Sequence, residues 1–516
     1  MIKLVKHRIF CRLMSRALLM LGVCCQNIDM QGQAVLPLNN DYWLSYENGA
    51  VSNNQTSYTF IRPFVFDTCK KDIDEKVLFS GYDAKPHKRY AGKKLFDESI
   101  VKYDTVGVKI YADPLFDFAL SREINTNENY TTNTRGVRVW GNVNSSLFFE
   151  ANVYESQATF LPYLYERFKA TNAVSGQGRA RKYDTGFDYG LASGRIAWFV
   201  SKKLLFSIGT DKMFVGNGYR SLLLTDNAFN YPYALYTLSV GKFKYTQSLL
   251  VLMGDSIPKT SFGVWERKLS SMHILSFLAS QDIHLSVFEY NIYHYPNKRS
   301  NIDFAWEAVN PVMFVNTASQ NEKSSSLLTF DMKVNIFNTL TCYGQLAASN
   351  IKDNGFKAAN TGWQGGVKYY NAFTLRNLVL QYEHNKAGNK LGLNEDTLLN
   401  YTHHMQSLAH AWGNNFSENI IIAAYRHKRI FVNALYNWGS YGNKNYGEKE
   451  IKVLPGQSAY NDLKYFTLSL SYVLNPYTNR RLELGIMKRE ASYQNRSNLF
   501  FYFTFKTNLI NKYYDF

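Results

Sequence analysis

Two polar segments hold the side chains best suited to chemistry. The first, His403-His404-Met405-Gln406-Ser407-Leu408-Ala409-His410-Ala411-Trp412-Gly413-Asn414-Asn415-Phe416, gathers three histidines, a serine and an indole. Three histidines suit a metal ion. No HExxH spacing is present, however, and His403 and His410 have no acidic neighbour to orient a ring. Ser407 close to His410 raises nucleophilic hydrolysis, but there is no nucleophile elbow, and a triad is defined by geometry rather than by spacing. A third chemistry fits better. The Trp412 ring face and the amide of Asn414 suit the apolar face and the hydroxyls of a sugar. The plain alternative is a loop that folds inward and packs.

The second segment, Gly216-Asn217-Gly218-Tyr219-Arg220-Ser221-Leu222-Leu223-Leu224-Thr225-Asp226-Asn227, runs on to Tyr231-Pro232-Tyr233. Its Gly-x-Gly lacks the following x-x-Gly and the helix that a dinucleotide site needs. The glycines instead allow a tight bend and close approach to another backbone. Arg220 and Asp226 are expected to form a buried ion pair anchoring this loop. Alternatively, with Asn227, they offer a donor and acceptors to a sugar. Neither segment implies a catalytic residue, a metal or a cofactor.

Period-two strands must position both segments. Phe466, Leu468, Leu470, Tyr472 and Leu474 alternate with smaller or polar residues, the turn Asn475–Asn479 follows, and Leu482, Leu484 and Ile486 resume the pattern. Alternation flanking an Asn/Pro turn is a hairpin signal. Phe501, Phe503 and Phe505 mark the last strand, and the sequence ends on Phe516, as in many outer-membrane barrels. Similar strands are predicted at 429–439, 418–427, 375–385, 362–370, 338–348, 326–335, 283–293, 272–280, 245–255, 234–241, 203–210, 188–200, 146–155, 134–142 and 106–122. The total is about eighteen, an even number as bacterial membrane barrels require. Short turns alternate with long polar loops (211–233, 294–325, 386–417, 440–463). This alternation puts every long loop, and so both segments, on the external side. Ala158 to Thr171 breaks the pattern with helical spacing at Leu161, Leu164, Tyr165 and Phe168, which predicts a plug or cap helix on that side.

Composition agrees with an all-β transmembrane antiparallel barrel. Aromatic residues make up 16% of the 516, yet mean hydropathy is only −0.30. No apolar run reaches the ~18 residues of a transmembrane helix. Residues 1–34 resemble an export signal: a basic stretch from Lys3 to Arg16, the apolar run Ala17–Cys25, and small residues Gly32 and Ala34 before a cut at Val35. A lipoprotein cut before Cys24 is the rival. Residues 35–105 form a periplasmic extension with short helices at the barrel mouth, and 106–516 form the barrel. Only Cys69 and Cys342 follow the signal, so no disulfide framework or CxxC metal pattern exists. The net charge of +17 is dispersed rather than clustered, which argues against nucleic acid. It suits anionic lipid and lipopolysaccharide at the rims, or an acidic polysaccharide.

The stretches GNGYRSLLLTDNAFNYPY and NYTHHMQSLAHAWGNNF, with the final TNLINKYYDF, resemble the Wzi-type capsule-assembly family, and within it the RemB-type gliding-motility proteins of Bacteroidota. The resemblance covers most of the chain after the signal. Where the RemB-like pattern has His-Pro-Leu-Gly, this chain has His410-Ala411-Trp412-Gly413. The resemblance implies an eighteen-stranded outer-membrane barrel that binds or retains surface polysaccharide, or serves adhesion and gliding, without catalytic residues. A diffusion porin, a barrel hydrolase and a surface adhesin are the alternatives.

Overall fold

The computed structural model describes residues 33–35, 38–52, 61–63, 65–67, 87–144, 146–255, 266–296, 304–442, 460–492, 496–507 and 510–516. All but the last two residues of the expected signal lie outside these, as does Cys69. Eighteen antiparallel strands close into one barrel. They are β1 (Val108–Glu123), β2 (Asn129–Val143), β3 (Leu147–Ala158), β4 (Gly186–Ser201), β5 (Leu204–Asp211), β6 (Tyr231–Val240), β7 (Phe243–Met253), β8 (Arg267–Leu278) and β9 (Ile283–His294). The circuit continues through β10 (Ser324–Ile336), β11 (Leu340–Ser349), β12 (Thr361–Tyr370), β13 (Leu378–Ala387), β14 (Phe416–His427), β15 (Ile430–Gly442), β16 (Tyr460–Asn475), β17 (Arg480–Ala491) and β18 (Arg496–Thr507). β18 pairs with β1, Phe503 opposite Leu120, and closes the circuit.

Parity along each strand separates two environments. On β16, Phe466, Leu468, Leu470 and Tyr472 point outward and are exposed, while Tyr465, Ser469, Ser471 and Val473 point inward and are buried. The same outward exposure recurs at Val137, Ile196, Ile208, Leu346, Ile421, Leu484 and Phe501, which together form an apolar belt. An apolar exterior over a polar interior is the construction of a membrane-spanning barrel. No helix among the described residues is long and apolar enough to cross a membrane.

The interior is filled unevenly. Against β6–β11 the two distinctive loops pack Leu222, Leu223, Leu224 and Leu408 onto Leu250, Met272, Phe288 and Tyr290. The first helix, α1 (Asn40–Ser52), reaches lumenal side chains: Glu47 pairs with Lys368 of β12, and Asp41 pairs with Arg481 of β17 at 2.7 Å. A second helix, α2 (Tyr90–Phe96), lies beside the turn after β16, where Asn475 Nδ2 donates to Leu95 O at 3.4 Å. The helix expected near 158–171 is α3 (Pro162–Thr171), in the external loop after β3. The strand expectations differ most at the outer ends of β2, β8, β16 and β18, where each real strand starts five or six residues earlier than predicted. Phe516 also departs from expectation. β18 ends at Thr507, and Phe516 is buried under the Arg167 guanidinium rather than closing a strand.

Leu484→Arg on the outward face of β17 is expected to destabilise the membrane-inserted barrel by about 2–4 kcal/mol in a denaturant titration. Phe356→Arg, on an exposed external turn, is expected to stay within about 0.5 kcal/mol of the parent.

Candidate functional site

The 212–230 loop enters the barrel because lumen-facing side chains satisfy its backbone. Glu383 of β13 accepts the amides of Tyr219 (2.8 Å) and Arg220 (3.0 Å), the Tyr343 hydroxyl (2.7 Å) and the Asn385 amide (2.9 Å). A Cβ at Gly218 would lie 2.3 Å from Glu383 Oε2, so only glycine admits this approach. Gln345 Oε1 accepts from Leu222 N at 2.9 Å, and Asn217 Nδ2 donates to Asp331 at 2.9 Å.

Arg220 does not pair with Asp226, contrary to the expectation above. Its Nη2 lies 2.9 Å from Asp515 Oδ2 and 3.3 Å from Glu418 Oε1. Asp226 instead accepts the Tyr513 hydroxyl (2.7 Å) and the Asn511 amide (2.9 Å). Arg220 and Asp226 thus both bind the 510–516 segment, which runs back into the lumen. Asn227 is buried beside them, its amide 3.4 Å from Thr225 Oγ1.

The 388–415 loop docks on the first. Thr225 Oγ1 donates to Ala409 O (2.5 Å), and the Tyr401 hydroxyl donates to Leu223 O (2.6 Å). His410 does have an acidic partner, which short-range reading missed. Its Nε2 lies 2.5 Å from Glu418 Oε2, eight residues on, while its Nδ1 accepts Trp412 N at 3.0 Å. With Nδ1 accepting, Nε2 carries the proton and donates to Glu418. Trp412 Nε1 donates to Asp515 O (3.3 Å), and Asn414 Nδ2 donates to Asn389 O (3.0 Å). His404 and Met405, both at positive φ, form the two-residue turn of a small hairpin pairing His403 with Gln406. His403 Nδ1 accepts Met253 N at 2.9 Å, so its Nε2 donates to Asn230 O at 3.2 Å. Both nitrogens of His403 and of His410 are therefore taken, neither by Ser407. Among the described residues no cluster of three His, Cys, Asp or Glu is disposed to hold a metal ion.

The eight residues singled out by sequence thus converge on one plug, and seven of them are fully buried; His404 is half-buried. The lumen-facing partners of the two loops, Glu383, Glu418, Asp331, Gln345 and Lys368, were not singled out. The signal was available: each occupies an inward position of an alternating strand, where a charge or amide needs an interior partner. Burial sets the chemistry of the plug. It pushes His404 down to about 4, aided by Arg179. It also lowers His403, with His404, Lys268 and Lys212 adding to the effect. Lys212, buried against the carbonyls of Gly176 and Asp226, falls to about 8.

On the other side of the lumen, a cavity of about 450 Å³ lies between the plug and the wall formed by β1–β5 and β15–β18. Tyrosines line it (Tyr130, Tyr154, Tyr189, Tyr465, Tyr502, Tyr514), and the pairs Lys512–Asp117, Lys506–Glu483 and Arg195–Glu150 flank them. Rings and paired charges in one enclosure offer stacking faces alongside hydrogen-bond donors and acceptors.

No family model and no curated protein sequence matches this chain. Among solved structures it is similar to Wzi of Escherichia coli, an outer membrane protein involved in group 1 capsule assembly and a carbohydrate-binding β-barrel. The TM-score is 0.56 at 12% identity, covering 93% of this chain and 100% of that one. It is also similar to OpdL of Pseudomonas aeruginosa, with TM-score 0.44 and 10% identity over 78% of this chain and 98% of that one. OccK5 (OpdH) from the same organism gives TM-score 0.41 and 10% identity over 77% and 96%. At these identities the likeness is one of fold.

Glu418→Ala leaves Arg220 with Asp515 alone and His410 without its acceptor. We expect it to loosen the plug by roughly 3–5 kcal/mol while the barrel stays closed. Hydrogen exchange rising in 216–224 and 406–416, but not in β16–β18, is the readout. A second expectation concerns acid. His403 and His404 are neutral when docked but titrate near 6.5 when released. Docking is thus complete above about pH 6.5 and weakens as pH falls from there towards 4. Exchange in 400–410 should rise across that window, and His404→Gln should flatten the rise.

Proposed function

We propose that this chain is a non-enzymatic outer-membrane protein that binds surface polysaccharide and takes part in capsule assembly or attachment. The observation that carries this reading is the combination of a pinned plug with a tyrosine-lined cavity beside it. A conduit for small solutes needs a free lumen, whereas Arg220, His410 and Trp412 lock two external loops across this one. A binder needs a preformed concave site with aromatic faces and a few placed polar groups, and the cavity supplies both. The full-length likeness to a carbohydrate-binding barrel of the outer membrane supports the same reading. In it, Arg220, Asp226, Asn227, His403, His404, His410, Trp412 and Asn414 hold the plug, and the sugar meets the cavity wall. The barrel sits among lipid and lipopolysaccharide, and adhesion or gliding proteins are further partners on the RemB-type reading. A diffusion porin is the second reading, and the space of about 450 Å³ left beside the plug is the observation in its favour.

Titration of the purified, folded barrel with capsular polysaccharide from the producing cell separates the two. Saturable binding is expected, and Tyr189→Ala and Tyr514→Ala should each raise Kd about tenfold, or ~1.4 kcal/mol. A barrel that conducts steadily in planar bilayers and ignores the polysaccharide sinks the proposal.

A further inference from the structure

The apolar belt has a gap. Across β7, β8 and β9 one outward row reads Gln247, His273 and Glu289, and the next row outward includes Ser271 and Asn291. These positions face away from the lumen, because the opposite parity (Leu250, Met272, Phe288, Tyr290) packs on the plug. All five polar residues are nonetheless buried. Flanking strands carry apolar side chains there: Phe206, which shares Tyr236 as neighbour with Gln247, and Phe330 and Leu346 one row below Glu289.

Residues 304–320, in the external loop after β9, bury this row by lying over the outside of the wall. Ala308 packs on Leu269 and Tyr293. The Tyr245 hydroxyl donates to Pro311 O (2.6 Å), and Gln247 Nε2 donates to Asn310 O (3.1 Å). Glu289 accepts Phe314 N (2.7 Å), Thr317 N (3.1 Å) and Thr317 Oγ1 (2.7 Å). The opposite side of the segment exposes Trp306, Val312, Phe314 and Val315; Glu307 and Ser319 are exposed too, Glu307 nearer the outer rim, where the adjoining Ala308 meets Tyr293.

Depth decides what those side chains meet. Exposed Phe243 and Ile283 stand beside the inner turns and mark the inner edge of the belt. Glu289 is six residues along β9 from Ile283. At about 3.3 Å per residue and about 40° of tilt, it lies roughly 15 Å up the barrel axis. The apolar band of such barrels is about 25 Å tall, so this row is at the depth of the bilayer.

We propose that residues 304–320 are a membrane-embedded cover. The segment lies between barrel wall and acyl chains, caps Glu289, and restores the belt with Trp306, Val312, Phe314 and Val315 facing lipid. A bare carboxylate cannot face hydrocarbon, and irregular backbone survives there only with its polar groups turned onto protein. The amides of Phe314 and Thr317 and the carbonyls of Asn310 and Pro311 are turned that way. The membrane itself then holds the cover, since lifting it would offer the polar row to lipid.

Single cysteines test this on the full chain, with labelling of the parent subtracted. On intact cells, a membrane-impermeant maleimide should label Phe314→Cys and Val312→Cys at least tenfold more slowly than Phe356→Cys on the external turn. In proteoliposomes, a bimane at Phe314→Cys should be quenched by lipids brominated on the acyl chain. Adding Glu289→Ala should raise its labelling several-fold. Heat-modifiable mobility checks folding of each variant, and two cover positions guard against one that misfolds. Labelling as fast as at Phe356→Cys overturns the proposal. Slow labelling without quenching overturns it as well, because that assigns the surface to a protein partner. No sugar enters either readout, so the outcome is separate from that of the polysaccharide reading.

Discussion

A guanidinium removed from water is costly unless its partners are fixed, and the interior of this barrel is arranged around one such group. Arg220 is buried, with Asp515 and Glu418 at 2.9 and 3.3 Å. Each carboxylate ties in something else. Glu418 also accepts from His410 (2.5 Å) and from the amides of Asn437 (2.7 Å) and Asn385 (3.2 Å), and so joins the second loop to three neighbouring strands. Asp515 accepts the Tyr219 hydroxyl at 3.2 Å, and its carbonyl takes Trp412 Nε1 at 3.3 Å. Two loops and the 510–516 segment therefore share one charge centre. Losing any member leaves the others buried and unpaired, which costs more than the pair contributes. That asymmetry holds a polar plug in place where its larger apolar cluster lies on one side.

The other side of the lumen follows a different rule. Against β6–β11 the plug presents leucines and excludes water. Against β1–β5 and β15–β18 the wall presents tyrosines and ion pairs, and space is left over. Glu150 shows how ion pairs add to the small apolar clusters that hold this wall in shape. It is held between Arg138 (2.9 Å) and Arg195, and Arg195 is shared with Asp211 at 3.7 Å. Charge pairs that brace each other across neighbouring strands fix the side chains that line the cavity.

The barrel was legible in the sequence because lipid outside and plug inside impose opposite demands on successive residues. All eighteen predicted strands correspond one to one with strands of the structure. In the missed outer ends, such as 460–465 and 267–271, Asn, Asp, Lys, Arg and Ser outnumber the apolar residues, so period two fades there. The eight residues of the candidate site were legible as a group but not by partner. Arg220 meets Glu418 and Asp515 across separations of 198 and 295 residues. Only closure of the barrel brings such positions together. Asp226 was the nearer opposite charge, and proximity along the chain misled. The aromatic end of the chain misled in the same way: Phe516 resembles a strand terminus but is drawn inward by Arg167 and Arg489.

Opening the lumen would require the plug to leave, and its bonds set the scale of that step. Glu383 alone would surrender two backbone amides, a tyrosine hydroxyl and an amide side chain. Hydrogen bonds to a charged group contribute about 1.5–3 kcal/mol each, and the carboxylate would have to find water inside a narrow barrel. Arg220 would need the same. The leucines at 222–224 would lose their packing on β7–β9, another ~1.5–3 kcal/mol per side chain. These contributions do not add simply, but together they match or exceed the stability of a typical domain. Displacing the plug is thus comparable in cost to unfolding a domain. A ligand that enters while the plug is in place meets the cavity as it stands, with Tyr154, Tyr189, Tyr465 and Tyr502 on its wall.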